Sequence, residues 1–156
     1  MNDLIGKTTQ DGWLLERAAV FAVDHTGGYF SKCFHVTRED KKAFLKALNL
    51  DKFGIRELVG FFTEFEYEQQ TLTICRDAKL NRVVRLIEAG NIDRGDAFSS
   101  IQRQVPFIVF ELADDDIRSS IDVSKNPSNR WRFFVLHQTT LGLLQLHGAQ
   151  IAHQDL

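Results

Sequence analysis

Four places in this 156-residue sequence carry groups that could act together on a phosphate. Asp24-His25-Thr26-Gly27-Gly28 reads as a turn, and its glycines would let backbone approach a charged oxygen closely. Lys46 ends the run Ala43-Phe44-Leu45-Lys46, where an ammonium is costly to bury without an anionic partner. Glu68 interrupts an otherwise apolar helical stripe of Phe61, Phe65 and Leu72. His153-Gln154-Asp155-Leu156 offers a carboxylate that can orient a hydroxyl proton. Holding a triphosphate, neutralising its charge and orienting a hydroxyl are the tasks of phosphoryl transfer. Each place also has a plainer reading. The glycines can belong to an ordinary hairpin, Lys46 can sit on an edge strand with its head in water, and Glu68 can be a solvated acid. A metal site from His147, His153 and Asp155 has no recognised ligand geometry.

These residues need elements to position them. After a polar lead-in over residues 1–12, Trp13 to Val23, Tyr29 to Val36 and Lys41 to Leu48 read as three strands joined by tight polar turns, an antiparallel meander. Ile55, Leu58, Val59 and Phe62 recur at helical spacing, and a second stripe, Phe61, Phe65, Glu68 and Leu72, runs along the same helix, from about Ile55 to about Arg76. Asn81 to Ala89 suits a fourth strand, Gly90 to Gln104 a polar loop, and Pro106 to Leu112 a fifth, buried strand. Ala113-Asp114-Asp115-Asp116 leads into a short helix to about Ile121. Asn126-Pro127-Ser128 is a break, with Ser128 placed to cap the helix Trp131 to His147.

In this order the residues resemble the protein kinase family. Leu146-His147, then Ile151 and His153-Gln154-Asp155-Leu156, is similar in spacing to the approach to that family's H-R-D-L loop. Ala43-Phe44-Leu45-Lys46 resembles V-A-I-K, and Phe65, Glu68 and Leu72 resemble the F-x-x-E-x-x-x-L of its helix C. Against the G-x-G-x-x-G-x-V loop, Thr26, Gly28 and Ser31 stand at the three glycines, Phe30 at the loop tip and Cys33 at the valine, with Gly27 adding freedom. Phe110-Glu111-Leu112-Ala113 is similar to the hinge that follows the fifth strand, with Phe110 as a bulky gatekeeper.

The resemblance implies an α+β fold. A small lobe of five antiparallel strands plus helix C, with the hinge, would span 1–113, and the first helices (D and E) of a large lobe would occupy 114–156. It implies a nucleotide site of Gly27, Gly28, Cys33, Phe44, Lys46, Phe110, Glu111 and Ala113. Lys46 would contact the α- and β-phosphates and pair with Glu68. Backbone groups of Glu111 and Ala113 would meet the adenine edge, Asp155 would orient the substrate hydroxyl, and His153 would support its loop. ATP and Mg2+ are the implied ligands, and Ser or Thr of an unidentified protein the implied acceptor. Gln154 in place of the Arg of H-R-D argues against activation through a phosphorylated loop.

The composition narrows the partners. A net charge of −2 gives no general attraction to nucleic acid or to anionic membranes. No apolar run approaches the roughly 18 residues that span a bilayer, and Met1-Asn2-Asp3-Leu4-Ile5-Gly6-Lys7 has no secretory character. Cys33 and Cys75 lie far apart in apolar surroundings, as expected of two buried, reduced thiols in a cytoplasmic protein. The sequence stops one residue after Asp155, before the family's magnesium-binding Asn and D-F-G. The expectation is therefore an incomplete catalytic domain, inactive alone and a poor binder of ATP. A non-catalytic binding module and one half of a split kinase are the alternatives. The helix at 131–147 would leave apolar surface for a partner to cover.

Overall fold

The computed structural model describes residues 1–19, 30–113 and 126–152. Two compact units form: Met1–Gln70 with Leu86–Leu112, and Thr71–Arg85 with Ala113–Leu156. The first is built on a five-stranded antiparallel sheet, so the chain has the expected α+β character. Its strands are β1 (Leu14–Ala18), β2 (Ser31–Arg38), β3 (Lys41–Leu48), β4 (Leu86–Asp93) and β5 (Gln104–Glu111), in the spatial order β1-β2-β3-β5-β4. Side chains alternate across a strand, and one sheet face carries the core. Phe34, Val36, Ala43, Leu45, Ala47, Phe107 and Val109 are all buried there.

Helix α1 (Ile55–Asp77) spans the stretch expected of it, but its buried seam is narrower than the sequence suggests. Leu58, Phe65, Leu72 and Cys75 are buried, while Ile55 and Val59 are 66% exposed. The seam runs Leu58, Phe61, Phe65, Glu68, Leu72, Cys75, alternate steps of three and four, and Glu68 is its one acid. The stripe of Ile55, Leu58, Val59 and Phe62 therefore holds only at Leu58 and Phe62.

Three strand assignments move. β1 is described over Leu14–Ala18, and the remainder of the expected 13–23 run from Val20 lies outside the described residues. β2 begins at Ser31 and continues to Arg38. β4 is Leu86–Asp93 rather than 81–89. Asn81 and Arg82 spend their hydrogen-bonding groups on a helix side chain instead of a ladder: Gln145 Nε2 donates to Asn81 Oδ1 at 2.8 Å, and Arg82 N donates to Gln145 Oε1 at 3.0 Å. The polar run Gly90-Asn91-Ile92-Asp93, expected in a loop, pairs with Phe107-Pro106-Val105-Gln104 of β5. Gly90 packs beside the Phe107 ring, where a Cβ would stand 3.4 Å away, at ordinary contact distance. Within the same expected loop, Ser100–Arg103 forms a short helical turn, α2.

The lead-in is also more than a polar tail. Gly6 N donates to Leu15 O, Leu15 N to Lys7 O and Thr9 N to Trp13 O, so residues 6–9 line the edge of β1. Leu4 and Leu50 are fully buried. Glu88 of β4 is buried and accepts from Thr9 Oγ1 at 2.7 Å.

In the second unit, helix α3 (Asn129–Gly148) starts two residues earlier than expected. Ser128 caps it as its sequence suggests, with Oγ accepting from Trp131 N at 3.3 Å. Gly142 is buried against the backbone of Arg82, where a Cβ would stand 3.3 Å from the carbonyl oxygen. Phe133, Phe134, Leu136 and Leu144 of α3 are exposed, as expected of its apolar surface. The expected helix ending near Ile121 lies outside the described residues.

Candidate functional site

Strand register determines which side chains share a face. In an antiparallel pair, directly opposed residues project to the same side. Cys33 of β2 opposes Lys46, and Lys46 opposes Ile108 of β5. One step along, His35 opposes Phe44, and Phe44 opposes Phe110. Cys33, His35, Phe44, Lys46, Ile108 and Phe110 therefore lie on one face, opposite the apolar face of Ala43, Leu45 and Ala47.

Lys46 is the charged centre of this face. Its Nζ donates to both oxygens of Glu68 on α1, at 2.8 and 2.6 Å. The lysine side chain is 19% exposed and the glutamate 33% exposed. Helix α1 brings the acid there because Glu68 follows Phe65 by three residues, and the fully packed Phe65 fixes the rotation of that turn. Glu64 and Glu66 point to solvent.

An aromatic group closes over the pair. The Phe30 ring lies 5.2 Å from Lys46 Nζ, an ammonium–ring contact. Phe30 also stacks on Phe61 of α1 at 5.6 Å with an 11° interplanar angle, and Phe61 meets Phe53 at 4.6 Å. The residue that leads into β2 and helix α1 are thus joined beside the ion pair. Phe30 was expected near the site and Phe61 on the stripe that carries Glu68, whereas Phe53 was not singled out.

Beside the charge lies a second aromatic row. Phe44 stacks on Phe110 at 6.0 Å and 19°, and His35 meets Phe44 edge-on at 6.2 Å and 90°. Burial, and then the nearby Arg17 charge, holds the His35 imidazole below its usual pKa. His35 went unnoticed in the sequence, although alternation from Cys33 places it on this face. Cys33 itself is buried, and desolvation pushes its thiol up to about 11 despite the nearby Lys46. It is a protonated wall residue at neutral pH and a poor nucleophile.

The remaining candidates are spread out. Glu111 ends β5 opposite Ala43, with its side chain exposed, and Ala113 follows two residues later, also exposed. Gly27, Gly28, His153 and Asp155 lie outside the described residues. His147 is exposed in the last turn of α3. Among the described residues no three His, Cys, Asp or Glu side chains cluster as metal ligands, and no helix is long and apolar enough to cross a membrane. Chemically, the described site can present one oriented ammonium to an anion, with an apolar wall on either side.

No protein-family model matches the chain. Over 134 residues, 83% of its length, it is 31% identical to mitogen-activated protein kinase homolog 1 of Petunia hybrida. Over 134 residues it is likewise 31% identical to mitogen-activated protein kinase homolog NTF3 of Nicotiana tabacum. The chain spans about a third of the length of these curated relatives, 31% of the first and 32% of the second.

Proposed function

Since this chain is a relative of the protein kinases, we propose that its sheet and α1 hold the phosphates of ATP for transfer to a Ser or Thr hydroxyl of a protein. The observation that carries the reading is the Lys46–Glu68 pair, with both carboxylate oxygens on one ammonium. An unsupported lysine on a sheet face samples many rotamers. Glu68 restricts this one to a single direction while leaving it partly exposed, which suits a group that receives phosphate oxygens.

In this reading Lys46 meets the α- and β-phosphates and Glu68 orients it. Gly27 and Gly28 belong to the loop over the phosphates, and Cys33 forms part of the roof. The backbone of Glu111 and Ala113 stands at the base end. Asp155 orients the acceptor hydroxyl and His153 supports the loop that carries it. Magnesium, where bound, supplies neutralising charge to the phosphates. Two free, unpaired thiols suit a reducing compartment such as the cytoplasm.

A second reading, a kinase-like module that binds without transferring, is favoured by one observation. The Phe44 and Phe110 rings stack across the approach to the base end. Isothermal titration with magnesium and ATP, or magnesium and inorganic tripolyphosphate, tests the shared core of both readings. Lys46→Met is expected to weaken phosphate binding at least tenfold. Binding indifferent to Lys46 would overturn the assignment.

A further inference from the structure

We propose that Phe44 sets the ligand class of the Lys46 site, favouring the phosphate chain of a polyphosphate and giving a purine no added affinity. The inference rests on Lys46 as the phosphate-holding residue and goes on to say what else the ligand can carry.

Phe44 lies two residues from Lys46 on the same face of β3, about 7 Å along the strand. Register places it on the side toward Glu111: Lys46 opposes Ile108, Phe44 opposes Phe110, and Ala43 opposes Glu111. A ligand running from the ammonium to the backbone of Glu111 must therefore cross the row His35–Phe44–Phe110. The rings of this row occupy the sheet face on which a flat base would have to lie. Phe44 and Phe110 are neighbours across two strands and are nearly parallel, at 19°. Phe44 is flanked by Phe110 of β5 at 6.0 Å and by His35 of β2 at 6.2 Å. A base reaching toward the backbone of Glu111 therefore meets the Phe44 side chain in its path. The phosphate end is different, because Lys46 retains exposed surface beside its carboxylate partner. The resembling motif, V-A-I-K, has alanine where this chain has Phe44, and alanine would leave the row open between His35 and Phe110.

The test compares two titrants on the full chain by calorimetry, each with magnesium: inorganic tripolyphosphate and ATP. For the native sequence the two affinities are expected to agree within about threefold, because both reflect phosphate alone. Phe44→Ala is expected to tighten ATP at least tenfold and leave tripolyphosphate within about threefold. Phe44→Leu, which keeps more apolar bulk, is expected to lie between and serves if the alanine variant does not fold. A native chain that binds ATP more than tenfold tighter than tripolyphosphate overturns the inference, as does an ATP-to-tripolyphosphate ratio unmoved by either variant. Failure of the underlying reading looks different: tripolyphosphate binding would then be absent, or unaltered by Lys46→Met. In that case both fall, whereas Lys46-dependent tripolyphosphate binding with a high native ATP preference sinks only the role of Phe44.

Discussion

Replacing Arg94 by Met should destabilise the sheet unit by a predictable amount, because Arg94 ties three distant stretches together. Its guanidinium donates to both oxygens of Asp3, at 2.7 and 2.8 Å, and to both oxygens of Asp51, at 2.5 and 3.0 Å. It also lies 3.7 Å from the centroid of the Phe98 ring. The N-terminal amine of Met1 joins both carboxylates. The Arg94 side chain is only 2% exposed. Removing one partner of a buried ion pair costs about 3–5 kcal/mol when the charge left behind stays buried. Here the carboxylates left behind are 31% and 38% exposed, so water recovers part of their solvation and the expected loss is about 2–3 kcal/mol. Met keeps an unbranched apolar stem, so little of this comes from a cavity.

Urea unfolding measures the loss. Trp13 is buried in the same unit and reports on it once Trp131 is changed to Phe. With a urea slope of about 1.5 kcal/mol/M, the midpoint should fall by about 1.3–2 M. The pH dependence provides an internal check. The Arg94 guanidinium holds the Asp3 and Asp51 carboxyls below the usual carboxylate range. Their contribution is therefore complete above the unfolded value of about 4 and is lost as pH falls from there toward the folded values. The gap between native and Arg94→Met should be constant from pH 7 to about 5 and narrow below 4. A loss under about 0.5 kcal/mol, or a gap that stays constant down to pH 3, would refute the reasoning.

Three further outcomes are expected. In a double-mutant cycle, Lys46→Met and Glu68→Gln should show a coupling of about 1 kcal/mol in urea unfolding, discounted for the exposure of both groups, and zero coupling would deny the pair. Phe65→Ala should cost about 3–5 kcal/mol, read by the thermal or urea midpoint, because the ring is almost wholly buried in the α1 seam; a loss below 1 kcal/mol would mean that the seam is not packed. Ser128→Ala should remove the cap on Trp131 N and cost about 1 kcal/mol, seen as lost helical circular dichroism near the α3 terminus, while Ser128→Asn should retain the cap.

Strong local signals explain what the sequence disclosed. β3 falls at Lys41–Leu48 because a polar turn precedes a short, mostly apolar run, and α1 falls at Ile55–Asp77 because its seam keeps helical spacing over about five turns. Glu68 was visible because an acid in an apolar seam calls for a partner, and Lys46 because a lysine in an apolar strand does too. β4 was misplaced because Gly90, Asn91 and Asp93 favour turns, a preference that pairing with β5 overrides. Arg94 had no visible signature: its partner Asp3 lies 91 residues away, and nothing local records such a distance. The Phe44–Phe110 stack was hidden for a related reason. Alternation assigns each ring a face, but β3 and β5 become neighbours only through the strand order of the folded sheet.

A crystal structure of the full chain grown with magnesium and inorganic tripolyphosphate tests the central claim most directly. The expected result is a phosphate oxygen within hydrogen-bond distance of Lys46 Nζ, with the Glu68 pair intact and the Phe44 ring still stacked on Phe110. Tripolyphosphate bound elsewhere, with Lys46 touching only Glu68, would contradict it.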